Sequence, residues 1–346
     1  MRLMTPVILC GGGGTRLWPR SRVEKPKPFI PLIGRTTLFE ETVQRCADPD
    51  IFDAPIVVTG ARHLDHVEAQ LAHVAGAQIV VEPCARNTAA AIALAALQMD
   101  ADAIMLVCPS DHHIADKAAF MRAARAAADL ASKDWLVSFG IEAKTPETGF
   151  GYLLQGDAID GSPGFRVARF IEKPDAERAQ SFLKIGGYSW NGGIFAFRAG
   201  TYLRELAHNR PALAALAQLA SAHGKSDGRR FHPQAESFAK IAPESVDYAV
   251  MENTDRAAMV PVDMGWSDIG NWHALHKARA RDAANNAVSG TVELVDCRDV
   301  LVDTDGPRVS VIGLSDIVVV VDKNEVLITS ASSAQLVGKL KGAAHQ

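Results

Sequence analysis

The chain has 346 residues, 48% of them apolar and 22% charged, and acidic side chains outnumber basic ones by 40 to 36. A net charge of −4 leaves no broad cationic face for nucleic acid or an anionic membrane, so any anion site must be local. Cysteines at 10, 46, 84, 108 and 297 form no C-x-x-C pair, which excludes a zinc ribbon or a disulfide framework and points to reduced thiols. The apolar run before the first glycines is too short for a secretory signal, and the one at 88–99 is too short for a membrane span. The expectation is a cytoplasmic protein with no nucleic-acid or membrane partner.

In chain order, apolar runs at 6–10, 54–60, 77–83, 103–111 and 135–141 read as buried strands, each ended by glycine, proline or a polar cluster. Helical spacing fills 36–46, 63–73, 88–99 and 117–132 between them. This alternation predicts an α/β fold: a mostly parallel, Rossmann-like sheet in three layers, with ligands at the carboxyl ends of its strands. After residue 150, strands at FGYLLQG, FRVARFIEKPD and GIFAFRAG mix with helices near 175–185, 200–222 and 243–252. From 285 onward short Val/Ile-rich strands punctuated by Gly, Asp and Asn replace the helices. The expected division is a domain of residues 1–284 and a small β unit of residues 285–346.

The segment VILCGGGGTRLWPRSRVEKPKPF at 7–29 feeds a strand into Gly11, Gly12, Gly13 and Gly14, then into five basic residues. Successive backbone N–H groups on such a turn make a phosphate cradle. No Gly-Lys-Ser/Thr follows, so it is not a Walker A loop, and Leu17 stands where a dinucleotide fingerprint needs Gly or Ala. Arg16 and Lys27 are two cations that a folded loop can aim at one phosphate chain, and Pro26 and Pro28 stiffen the backbone around Lys27. Arg20, Arg22 and Lys25 read as solvated or steering charges.

Asp111 in VCPSDHHI ends a buried strand, where a carboxylate can hold a hard cation or cap a turn. Asp268 in GWSDIGNW is open to the same two readings. His112 and His113 point to opposite sides and read as packing groups. EPCARNTAAA is a helix start with Asn87 or Thr88 as N-cap. FIEKPD sets Glu172 and Lys173 side by side, suited to sugar hydroxyls and to a phosphate, though a surface turn is the simpler reading. The Asn191 amide in WNGGIF can both donate to and accept from hydroxyls. Gly149 in TGFGY, and Gly192 and Gly193, allow close backbone approach to a ligand. Trp190, Trp266 and Trp272 read as core or supporting residues.

GGGGTRLWPRSRVEKPKPF resembles the signature of sugar-nucleotide pyrophosphorylases, and its LWP–S form resembles mannose-1-phosphate guanylyltransferases in particular. EPCARNTAAAIALAA, PSDHHI, TGFGYL, FIEKPD, WNGGIFAFR, ESVDYAVME and VDMGWSDIGNW follow in the same order along nearly the whole chain. One departure is Ala90, where the family usually has proline. The length resembles the short form of the family, without a phosphomannose isomerase domain.

The resemblance implies a nucleotide-diphospho-sugar transferase fold with a short left-handed β-helix at the C-terminus, a homodimer, and Mg²⁺ as cofactor. It implies that GTP and mannose 1-phosphate give GDP-mannose and pyrophosphate. It assigns Gly11, Gly12, Gly13, Gly14 and Thr15 to the nucleotide phosphates, with Arg16 and Lys27 catalytic. Glu82, Arg86, Asn87 and Thr88 would line base and ribose, and Asp111 would bind the nucleotide and, with Asp268, the metal. Gly149, Glu172, Lys173 and Asn191 would hold the sugar phosphate. Guanine rests on the resemblance alone. The competing expectations are the same chemistry with another base or sugar, such as heptose or glucose 1-phosphate, and a non-catalytic nucleotide-sugar sensor.

Overall fold

The computed structural model describes residues 3–12 and 14–344, so Gly13 of the expected phosphate cradle lies outside the described residues. The chain forms two compact units. One comprises Met1–Gly11, Thr42–Ser110 and Ile114–Trp266; the other comprises Gly12–Glu41, Asp111–His113 and Ser267–Gln346.

The first unit is built on one large mixed sheet. Met4–Cys10, Ile56–Gly60, Gln78–Glu82 and Ile104–Pro109 are apolar runs buried along nearly their whole length, as parallel strands covered on both faces must be. They pair in parallel with Val7 opposite Ile56, Val57 opposite Ile79 and Val7 opposite Val107. The strand Arg230–His232 extends this parallel block beside Gln78–Glu82.

Side chains alternate between the faces. Met105 and Val107 pack with the helices Asn87–Ala96, Ala199–Asn209 and Pro211–Ala222, while Leu106 and Cys108 pack with Lys117–Ser132. The expected three layers are therefore present. On the far side the sheet continues with Tyr188–Arg198, Leu136–Glu142, Ala257–Val262, Phe165–Ile171 and Tyr152–Ala158. Tyr188–Arg198 enters antiparallel to both neighbours, which makes the sheet mixed beyond the parallel block.

The helix expected at 200–222 is two, because Pro211 opens the second one and Arg210 before it leaves the helical region, at φ −139°. Near 243–252 the helix shrinks to the five-residue π-turn Asp247–Met251.

In the second unit Ala287–Ser289, Leu301–Thr304 and Ile317–Asp322 stack in parallel, with Ala287, Leu301 and Val318 in register, and Glu325–Ser330 closes the stack antiparallel. Val292–Val295 pairs in parallel with Val309–Ile312. Successive strands thus coil over an apolar interior that includes Val300, Val302, Val311 and Val319.

The apolar residues of the signature loop join this unit. Leu17, Trp18, Ile30, Leu32 and Leu38 share one buried cluster with Ile269, Trp272 and Leu275 and with Ala287, Leu301, Val318, Val320 and Leu327. The Trp272 indole N–H donates to the Trp18 carbonyl at 2.8 Å. A boundary at 284/285 therefore runs through a single core. The loop offers only the short 3₁₀ turns Thr15–Leu17 and Lys27–Phe29 and has no sheet of its own to bury Leu17 or Trp18.

Leu301 is fully buried in that cluster, so Leu301→Ala is expected to cost about 2–5 kcal/mol. Urea unfolding followed by tryptophan fluorescence measures this, and a loss under about 1 kcal/mol would speak against the shared core.

Candidate active site

In the second unit the signature loop turns at Gly14, whose φ of +63° lies in the left-handed region. A Cβ at Gly14 would lie 2.5 Å from the Cβ of Lys27. Glycine is thus required twice over where the two ends of the signature close. Lys27, between Pro26 and Pro28, is buried, and its ammonium donates to Asp111 Oδ2 at 2.7 Å and to the Asp268 carbonyl. Three residues far apart in sequence are so brought together. The Gly270 N–H donates to Asp268 Oδ1 at 3.1 Å. Burial alone would raise the Asp111 carboxyl, but the charges of Lys27 and His112 hold it below its ordinary value.

Among the described residues no group of three or more His, Cys, Asp or Glu side chains could hold a metal by itself. Asp111 and Asp268 supply hard oxygen donors. They fit a cation such as Mg²⁺ that takes its other ligands from phosphate oxygens and water.

Gly12, Thr15 and Arg16 are exposed in the same unit, while Gly11 is the last residue of the first unit's leading segment. Arg16 does not join Lys27: its guanidinium donates to Gln335 Oε1 at 3.1 Å. Arg20 and Arg22 are not the solvated charges expected. Arg20 Nε donates to Asp303 Oδ1 at 2.7 Å and Nη1 to Asp322 Oδ1 at 3.0 Å, and Arg22 Nη2 reaches Asp322 Oδ2 at 2.7 Å. Of the three, Lys25 alone is exposed. Their partners lie almost 300 residues away, so local sequence carried no sign of them.

In the first unit Glu172 and Asn191 meet at Gly151, and Lys173 joins them through Glu172. A Cβ on Gly151 would lie 2.5 Å from Glu172 Oε2 and 3.2 Å from Asn191 Cβ, whereas nothing lies within 4 Å of a Cβ placed on Gly149. Gly151 is the glycine built against these side chains, while Gly149 borders open space. Gly151 also accepts the Asn191 N–H at 2.7 Å.

A bulge sets Asn191 in place, since the pairing jumps from Ser138–Phe195 to Gly140–Asn191 across Gly192 and Gly193. Asn191 Oδ1 accepts from Ser138 Oγ at 2.8 Å and from the Gly193 N–H at 3.1 Å, and Nδ2 donates to Asp247 Oδ1 at 2.8 Å. The amide oxygen is thus committed inside the protein. One N–H remains for a ligand, so the expectation that this amide both donates and accepts is corrected.

Lys173 donates to Glu172 Oε1 at 2.7 Å. Burial and the nearby Asp247 charge push the Glu172 carboxyl up, against the pull of Lys173. Ser138, Gly151, Asp247 and Phe150 were missed by sequence reasoning. Phe150 meets both Trp190 and Trp266 edge-on, with centroids 5.3 and 5.2 Å away. Trp272 is fully buried in the second unit's core.

The segment after Gln78–Glu82 carries the remaining candidates. The expected N-cap is not made: Arg86 occupies that position, and no side chain caps the helix. Asn87, at φ +66°, instead turns its Oδ1 onto the Thr88 N–H at 2.8 Å. Thr88 Oγ1 accepts the Val246 N–H at 2.9 Å, and Arg86 Nη2 donates to the Ala239 carbonyl at 2.6 Å. Glu82 differs from these. Its Oε1 is buried with no hydrogen-bond partner among the described residues, and burial pushes the carboxyl up to about 7.

The model of the nucleotidyl transferase family matches residues 5–285. The alginate biosynthesis protein AlgA of Pseudomonas aeruginosa is 42% identical over 338 residues, covering 96% of this chain and 70% of that protein. The mannose-1-phosphate guanylyltransferase of Escherichia coli is 39% identical over 345 residues, covering 97% and 73%. A crystal structure from Thermus thermophilus, described as a mannose-1-phosphate geranyltransferase, superposes with a TM-score of 0.89 at 29% identity over the whole of both chains.

The Glu82 carboxyl binds its proton more tightly folded than unfolded, so it weakens the fold as pH rises from about 4.5 to about 7. Glu82→Gln is expected to be more stable than the parent at pH 8 and equal to it at pH 4. Thermal unfolding of both proteins across that range checks this, and a stability difference that does not change with pH would refute it.

Proposed function

Because this chain belongs to the nucleotidyl transferase family, we infer that it transfers the guanylyl group of GTP to α-D-mannose 1-phosphate, yielding GDP-mannose and pyrophosphate. The observation that carries this reading is the buried Lys27 ammonium, held against Asp111 and Asp268 beneath a glycine turn that no other residue could form. It is a fixed cation with the Asp111 carboxylate and the Asp268 backbone carbonyl beside it, a preorganised positive charge of the kind that transfer between phosphates needs.

The attacking group is a phosphate oxygen of the sugar phosphate, which is already anionic, so neither a covalent nucleophile nor a general base is required. What the protein must supply is position and charge neutralisation. Lys173 holds the attacking phosphate. Lys27 and Arg16 meet the charge that grows on the departing pyrophosphate, and the N–H groups of Gly11, Gly12, Gly14 and Thr15 take the nucleotide's phosphates. A divalent cation, Mg²⁺ in this reading, would be held by Asp111 and Asp268 and would lower the charge repulsion between nucleotide and sugar phosphate.

Guanine presents N1–H and N2–H donors on one edge, and the unpartnered Glu82 carboxylate is an acceptor suited to them. Arg86, Asn87 and Thr88 shape the same segment. On the sugar side Glu172 accepts from hydroxyls and Asn191 gives its one remaining N–H.

In this reading the product serves polysaccharide synthesis, residues 285–346 form a short β-helix, and the enzyme works as a cytoplasmic homodimer. Among the described residues no helix is long and apolar enough to cross a membrane.

Pyrophosphate release measured across a panel of nucleoside triphosphates and sugar 1-phosphates should be fastest with GTP and mannose 1-phosphate. A clear preference for another pair would overturn the assignment. Lys27→Ala and Asp268→Ala should each lower kcat by about 10²–10³, and near-normal turnover would remove them from the mechanism. Gly151→Ala should raise KM for mannose 1-phosphate by about tenfold, the equivalent of ~1.4 kcal/mol of overpacking, with KM for GTP unchanged. Equal effects on both substrates would place Gly151 elsewhere.

A further inference from the structure

Asp303 lies in the strand Leu301–Thr304, where its neighbours Leu301 and Val302 are fully buried, and it is itself only 2% exposed. A buried carboxylate persists only when its charge is paired and its oxygens are hydrogen-bonded. Here both oxygens are occupied by arginines from opposite directions in sequence. Oδ1 accepts from Arg20, in the signature loop, and Oδ2 accepts from Arg279. Arg279 in turn donates its Nε to the Leu32 carbonyl at 2.9 Å, so it grips the far end of the same loop segment.

A second carboxylate repeats the pattern. Asp322 takes Arg20 Nη1 at 3.0 Å and Arg22 Nη2 at 2.7 Å, while Arg22 Nε donates to the Pro19 carbonyl at 2.9 Å. Asp305 adds a third negative charge 3.9 Å from Arg20. Three guanidinium groups therefore face three carboxylates, and the carboxylates all belong to the C-terminal β unit.

Arg20 stands between Arg16 and Lys27 in the chain. Fixing its guanidinium in a planar fork fixes the backbone on which both cations are mounted. We propose that Asp303 is a positioning residue for nucleotidyl transfer, acting through Arg20 to hold the signature loop in its working geometry. The inference rests on the roles given to Arg16 and Lys27 above. It adds that residues 285–346 contribute to turnover without touching substrate.

The test uses the full chain and three variants, Asp303→Asn, Arg20→Gln and the double. Two readouts are taken on each: kcat and KM from pyrophosphate release, and amide exchange in peptides covering residues 14–27 against those covering 56–60. In the parent the Leu17 and Ser21 amides donate to the Gly14 and Leu17 carbonyls, so loss of the clamp appears there first.

Each single variant is expected to lose about 10²-fold in kcat, the effect of a small misplacement remote from the chemistry, with KM for mannose 1-phosphate little changed. The double should be no worse than the worse single. Exchange should rise at 14–27 and not at 56–60.

Unchanged kcat in Asp303→Asn, single losses that multiply in the double, or exchange that rises equally in both regions would each overturn the proposal. If Asp303→Asn does not fold, Arg20→Gln decides the matter, because it leaves Asp303 paired with Arg279. If the parent itself fails to turn over GTP and mannose 1-phosphate, the functional reading fails while the exchange pattern still judges the clamp.

Discussion

The ammonium of Lys27 is buried, and a buried charge must be paired and hydrogen-bonded or the chain will not fold around it. Asp111 provides the countercharge and the Asp268 carbonyl a second acceptor, so one side chain ties together segments near residues 27, 111 and 268. Much of the second unit follows from this requirement. Gly14 must lack a side chain because Lys27 Cβ occupies that space. Trp272, just past Asp268 in sequence, carries the loop into the core, and its indole closes on the Trp18 carbonyl. The buried cation is thus held by a carboxylate and a backbone carbonyl from two distant segments.

The first unit works by a different device. Around Gly151 the decisive groups are dipoles and a short ion pair, not a buried lone charge. The bulge across Gly192 and Gly193 aims Asn191, and Ser138 and Asp247 then fix its amide in one orientation. An amide that could flip would lose its direction, and these two bonds prevent the flip. The cost is that all but one N–H of the amide's hydrogen-bonding capacity is spent inside the protein.

The sequence announces some of this and conceals the rest, and the division has a physical basis. Parallel strands such as Ile104–Pro109 and the alanine-rich helix Asn87–Ala96 are legible because burial on both faces writes itself into a continuous apolar run. The residues of the signature are legible because four glycines followed closely by five cations stand out from any apolar periodicity. Asp247, Ser138 and Phe150 leave no local trace, since each acquires its role only when distant strands or helices pack. TGFGY contains two glycines, and nothing in those five letters tells that the second is the crowded one. Arg20 and Arg22 look like solvent-exposed basic residues because their carboxylates come from the other end of the chain. Composition changes at 285, but it carries no sign that Leu17, Trp18, Ile30, Leu32 and Leu38 share a buried cluster with residues beyond 267.

That cover has a consequence for how the protein is made. Leu17, Trp18 and Ile30 leave the ribosome well before Leu301, Val318 and Leu327, against which they pack. At synthesis rates of about 5–20 residues per second, the glycine turn waits roughly 15–60 s for its support. The large sheet of the first unit can form in that interval from residues already present. The signature loop, though synthesised before most of the large sheet, can therefore be covered only after that sheet has its residues in place.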